Sequence, residues 1–120
     1  MGAGKSGATM YRIVFFAAER GAKPVEEFID GLDTRTQAKV VSYLTLLQEL
    51  GPNLKRPYAD IVDGKIREIR PRQARIFYFF MFRDRIILVH GFLKKKDRID
   101  PKEIEVANKR MADWIRRYKE

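Results

Sequence analysis

Between Arg75 and Phe92 the chain reads RIFYFFMFRDRIILVHGF, two apolar runs separated only by the polar pair Arg83-Asp84. Aromatic and β-branched residues at this density favour extended backbone, so Arg75–Phe82 and Arg85–Phe92 are read as strands. The short break between them makes an antiparallel hairpin. In the first strand Ile76, Tyr78, Phe80 and Phe82 share one face, and Phe77, Phe79 and Met81 share the other. Apolar side chains on both faces require a sheet covered on both sides, and this hairpin must be its centre. The longest apolar run, Ile76–Phe82, has seven residues, whereas a membrane span takes about 20.

The other elements arrange themselves around that hairpin. Tyr11–Ala17 is a first strand and Lys65–Arg70 a short one. Lys23-Pro24 opens a short helix over Val25–Gly31, with proline near its first position. A longer helix is expected over Thr34–Leu50. Asp33 or Thr34 caps it, Gln37 completes a capping box with Thr34, and Val40, Tyr43, Leu44, Leu47 and Leu50 form its apolar stripe. Gly51-Pro52 ends it. Asn53–Gly64 is expected to be irregular. Asp100-Pro101-Lys102-Glu103 starts a last helix running to about Tyr118, with Asp100 as cap and Glu103 as the returning member of a capping box. Ile104, Ala107, Met111, Trp114 and Tyr118 should pack on the sheet. The predicted fold is α+β, a small, mainly antiparallel sheet with two N-terminal helices and a C-terminal helix packed on it.

At 120 residues the chain has room for one domain, taken as residues 10–120, and needs no covalent staples to hold a core. Residues 1–9 are small and polar and are read as a disordered tail. Gly4-Lys5-Ser6 in that tail resembles the end of a phosphate-binding loop, but lacks the earlier glycine and the preceding strand. The chain has no cysteine, so disulfide and thiolate chemistry are out of reach and a reducing, cytoplasmic setting is expected.

Charge is what separates the functional classes. The net charge is +9, and residues 51–100 alone carry thirteen basic and six acidic side chains, whereas residues 1–50 balance to zero. Such asymmetry suits a polyanionic partner. A single histidine, His90, rules out a two-histidine ribonuclease site and a histidine-rich metal site. No nucleophile elbow or glycine-rich dinucleotide loop is present. Asp60 and Asp63 are read as turn residues rather than as metal ligands, and no cofactor is expected.

The cations remain. Arg67, Arg70, Arg72 and Arg75 surround one strand junction, and Lys94, Lys95 and Lys96 follow the next strand. The hairpin lays the start of one strand beside the end of the other, which brings Arg75 near His90–Lys94. Such a cluster can hold phosphates through forked guanidinium bonds and offset the charge of a phosphorane transition state. A cluster alone does not make an enzyme, but Arg70, Arg75, Lys94 and Lys95 are the candidate functional cations. Arg67, Arg72, Lys96, Arg98, Lys55 and Arg56 are candidate phosphate contacts. His90, ending its strand beside Gly91, is either a proton shuttle or a half-buried histidine fixed by a backbone bond.

At these residues the chain resembles a family. The run Lys65-Ile-Arg-Glu-Ile-Arg70, then Ala74-Arg-Ile-Phe-Tyr78, then Leu88-Val-His-Gly-Phe-Leu-Lys-Lys95, then Pro101 and a helix containing Ala107, is similar to the phage-derived, HigB-like branch of the RelE toxin superfamily. Leu50-Gly51-Pro52 matches its usual helix end, and the resemblance spans about Tyr11 to Tyr118. It implies a toxin of a type II toxin–antitoxin system that cuts messenger RNA on the ribosome. The RNA's own 2′-hydroxyl attacks, without metal. It also implies a small helix-turn-helix antitoxin as partner. Arg70 and Arg75 match the strand arginines of the motif, and Lys94 and Lys95 its lysine pair. The chain departs from the pattern in the short Pro71–Ala74 link, in Lys96 where a threonine or serine is common, and in lacking an early tyrosine on the last helix. Which group acts as general base is left open among His90, a lysine and a ribosomal group. The competing readings are a gyrase inhibitor of the related ParE type and a non-toxic RNA-binding module.

Overall fold

The computed structural model describes residues 10–119, so the tail over residues 1–9 lies outside the described residues. In chain order the elements are β1 (Arg12–Phe15), α1 (Pro24–Asp30), α2 (Thr34–Leu50), a 3-10 turn (Gly51–Asn53), β2 (Ala59–Asp63), β3 (Ile66–Ile69), β4 (Ala74–Met81), β5 (Arg85–Leu93) and α3 (Pro101–Tyr118). The strands form one mixed sheet in the order β1-β5-β4-β3-β2. β1 runs parallel to β5, and the other three ladders are antiparallel.

The two-faced hairpin does what its composition demands. Ile76 and Tyr78 of β4, with Ile86 and Leu88 of β5, pack against Val25 of α1 and Val40 and Leu47 of α2. Phe77 and Phe79, with Ile87 and Val89, pack on the opposite face against Ala107 and Trp114 of α3. The sheet is thus the middle of three layers. Each fully buried Ile, Leu or Phe contributes roughly 1.5–3 kcal/mol, so β4 and β5 supply much of the driving force for folding. Phe82 leaves the strand at the hairpin turn, where it and Arg83 take positive φ.

Five expectations need correction. Part of the stretch read as irregular forms β2, which pairs with β3 and puts Asp60 and Asp63 in a strand. Asp60 accepts from Arg56 and Asp63 from Asn108. α2 is capped by Asp33, whose carboxylate accepts from the Thr36 amide. Gln37 turns instead to the carbonyls of Ile29 and Asp30, tying α2 to α1. Leu50, placed on the apolar stripe of α2, and Tyr118, expected to pack on the sheet, are both exposed. Glu103 does not close a capping box: Asp100 caps α3 through the Lys102 amide, and the Glu103 side chain goes elsewhere.

One irregularity sets the site. The β4–β5 register pairs Phe77 with His90 and then Tyr78 with Leu88, so Val89 is an extra residue in β5. Such a bulge keeps two consecutive side chains on one face. Val89 and His90 both lie on the α3 side, and Gly91 turns to α1. There a Cβ would fall 2.4 Å from the Phe28 ring, so only glycine lets α1 sit this close. The shifted alternation carries His90 and Phe92 under the first turn of α3, with their rings stacked at 5.4 Å.

Candidate nucleic-acid interface

The ends of β3, β4 and β5 gather charge around one buried acid. Glu68 pairs with Phe77 across the sheet, and Arg75 pairs with Phe92. The Arg75 guanidinium lies 3.9 Å from Glu68, and the Arg70 guanidinium 3.6 Å away on the other carboxylate oxygen. Burial pushes the Glu68 carboxyl above its ordinary range, while Arg75, Arg70 and Lys94 pull against that shift. Burial also lowers the Arg75 guanidinium, with Glu68 holding it up.

Arg75 is committed to the interior. Its side chain is 10% exposed, and it donates to the carbonyls of Arg72 and Ala74 at 2.9 and 2.8 Å. Arg70 is half-buried and keeps part of its surface open. Arg72 is exposed at the tip of the β3–β4 turn, with φ +59°. The Lys94 amide donates to the Gln73 carbonyl, which fastens the start of the lysine run to that turn. Lys95, Lys96 and Arg98 are exposed.

The lysine run opens a cleft of about 690 Å3 bounded by Phe92, Lys94–Lys96, Arg98 and, from α3, Pro101 and Glu103. Its lining joins four cations to one aromatic ring, Phe92, with the carboxylates of Asp100 and Glu103 beside them, a combination that suits a phosphate chain with an unstacked base. His90 lies just below it. Its Nε2 is 2.6 Å from Glu103 Oε1, and Nδ1 is 3.4 Å from the Arg110 guanidinium. Arg110 can only donate, so Nδ1 accepts and the ring proton sits on Nε2, pointing at Glu103. Burial holds the imidazole below its usual pKa, against the opposing pull of Glu103. Both ring nitrogens are therefore occupied by the protein itself.

The remaining candidates lie elsewhere. Lys55, Arg56 and Arg67 line a second pocket of about 450 Å3 together with Tyr78. Arg56 is paired with Asp60 at 2.7 Å, and Arg67 reaches the Pro52 carbonyl and lies over the Phe80 ring. The fold thus groups Lys94, Lys95, Lys96 and Arg98 at one cleft and Lys55, Arg56 and Arg67 at another pocket. Arg70 and Arg75 stand around Glu68.

Sequence reasoning passed over Glu68, Glu103 and Arg110. Glu68 was discoverable, because strand alternation puts it on the same face as Phe77, where a lone carboxylate requires a cation. Glu103 and Arg110 gave no such signal: their roles depend on the bulge that turns His90 toward α3.

No curated protein matches the chain. The family model described as "Phage derived protein Gp49-like (DUF891)" matches residues 27–112, a stretch that begins in α1, includes β2 to β5 and ends within α3. With most of its length matched, cation-rimmed cleft included, the chain belongs to the phage-derived Gp49-like family.

Proposed function

We propose that this protein is a toxin of the RelE/HigB superfamily, a ribosome-dependent endoribonuclease that cuts messenger RNA and stops translation. The observation that carries the reading is the cleft, which exposed Lys95, Lys96 and Arg98 line together with the Phe92 ring at the end of a bulged central hairpin. Membership of a phage-derived family and the concentration of positive charge in residues 51–100 support it.

In this reading the RNA backbone lies along the lysine run. Lys94 and Lys95 hold the scissile phosphate, and Lys96 and Arg98 its neighbours. Arg70, with part of its guanidinium open, adds a contact from the β3 end. Arg75 works from behind, keeping the turn and Glu68 in place. The 2′-hydroxyl of the RNA is the nucleophile, so the chemistry calls for no metal and no cofactor. Orientation and charge stabilisation carry the rate, and the ribosome supplies much of the first. A small helix-turn-helix antitoxin is the proposed partner covering the basic face, and the cytoplasm, where ribosomes are, is the proposed compartment.

Induced expression in a bacterial host tests this. The expected result is rapid translation arrest with cut messenger RNA, abolished by Lys94→Ala combined with Lys95→Ala in a protein that still folds. DNA damage without RNA cleavage would point to gyrase instead. Undiminished cleavage in the double variant would remove the cleft as the site.

A further inference from the structure

We infer that Glu103 is the general base of this cleft, with His90 and Arg110 as the residues that position it. This inference rests on the ribonuclease reading and names the group that reading leaves open. The geometry argues against His90 taking the proton directly. Nδ1 faces the Arg110 guanidinium, which also donates to the Val89 carbonyl at 2.8 Å. Nε2 faces Glu103. A histidine with both nitrogens engaged can orient a carboxylate but has no lone pair to offer a substrate.

Glu103 is differently placed. It stands in the first turn of α3 and lines the cleft that Lys94, Lys95, Lys96 and Arg98 bound. Oε1 is fixed by His90, and Oε2 makes no hydrogen bond among the described residues. The side chain is 30% exposed, so it is accessible yet held. Asp100, the other carboxylate of the cleft, accepts from the Lys102 amide as helix cap. Each acid thus keeps one oxygen uncommitted, but Glu103 is the one oriented by a side chain, His90, rather than spent on a helix amide.

The proposed step balances. Glu103 Oε2 takes the proton of the 2′-hydroxyl, and the 2′-oxygen attacks the adjacent phosphorus. The bond from phosphorus to the 5′-oxygen breaks, and that oxygen takes a proton from the lysine ammonium groups at the rim. The products are a 2′,3′-cyclic phosphate and a 5′-hydroxyl end.

The experiment is single-turnover cleavage of a short messenger RNA on programmed ribosomes, across pH. The binding control is the same RNA with a 2′-deoxy sugar at the cut. Glu103→Gln keeps an acceptor for the His90 proton. It should lower cleavage by about 10²–10⁴ while binding the deoxy RNA within twofold of the wild type. The rise of rate with pH should also disappear. His90→Leu should lower cleavage with binding of the deoxy RNA unchanged, because the carboxylate loses the contact that orients it, and His90→Gln, which can still donate, should largely restore it. If Glu103→Gln fails to fold, Glu103→Asp and the pH limb decide. Wild-type cleavage with Glu103→Gln within threefold of it overturns the base and leaves the ribonuclease reading standing. Wild-type protein that cuts no RNA overturns both.

Discussion

Arg75 offers the sharpest test of how this site is built, because the sequence recommends it as a phosphate ligand and the fold uses it as a strut. Consider Arg75→Met, which keeps most of the volume and removes the charge. Glu68, with its side chain 8% exposed, loses its more deeply buried counterion, and the carbonyls of Arg72 and Ala74 lose the donor they share. Removing one partner of a buried ion pair costs about 3–5 kcal/mol, mostly from the charge left behind. The 3.9 Å separation is too long for a hydrogen bond, and Arg70 still faces the acid, which together favour the lower end, about 3 kcal/mol. In a domain of this size that lowers the melting temperature by roughly 10–15 °C.

The deficit should depend on pH with a definite sign. Burial already raises the Glu68 carboxyl above its ordinary value of 4.5, and Arg75 is the strongest influence holding it down. In the variant the folded-state pKa rises further. A carboxyl whose pKa is raised by folding favours the native state below its unfolded value and disfavours it as pH climbs. The loss should therefore be smallest near pH 4.5 and grow toward pH 8. Urea melts at both ends measure it, and Arg75→Met with Glu68→Gln should recover most of the stability. A loss below about 1 kcal/mol at pH 8, or the same loss at both pH values, would refute the strut and return Arg75 to the surface as a free ligand.

Two further tests probe the frame around the site. Gly91→Ala drives a methyl into the Phe28 ring and should cost about 1–3 kcal/mol in thermal or urea melts. Adding Phe28→Leu should recover part of it, and strictly additive costs would show that α1 does not rest on Gly91. Tyr78→Phe removes a buried hydroxyl that has no hydrogen-bond partner among the described residues, so stability should hold or rise by up to about 1 kcal/mol. A loss above 1 kcal/mol would mean that the hydroxyl has a partner in solution.

The architecture was legible wherever hydrophobic pattern determines it. Ile76–Met81 alternates between two apolar faces, and only a strand in the middle of three layers satisfies that. Gly51-Pro52 and Asp100-Pro101 mark helix ends by local backbone chemistry, which also reads from sequence. β2 was missed because Ala59–Asp63 is short, edge-placed and interrupted by acids, so it has little alternation to detect. The hairpin turn was misjudged by a residue because Phe82 and Arg83 adopt a backbone normally given to glycine or asparagine. Competition between side chains was the least legible. Gln37 and Glu103 fit local capping rules, and each was drawn instead to a partner that tertiary packing brings closer.

The same limit explains the site. Sequence spacing can place cations at one end of a sheet, because strand register is periodic, but it cannot tell which of them the protein consumes. Here the division follows from depth. Arg75 enters the sheet opposite Phe92 and must satisfy Glu68 and two carbonyls before any ligand. Lys95, Lys96 and Arg98 sit past the last ladder pair, Ala74 with Leu93, where no strand neighbour claims them. The bulge at Val89 decides the rest, since in a regular strand of the same sequence the ring of His90 would face α1 and Glu103 would have no donor. Deleting Val89 outright would leave Phe77 opposite His90 and Tyr78 opposite Leu88 in regular alternation, so a shortened β5 that kept the fold should still turn His90 to Glu103: the face is fixed by the bulge in a strand of this length, not by the valine itself.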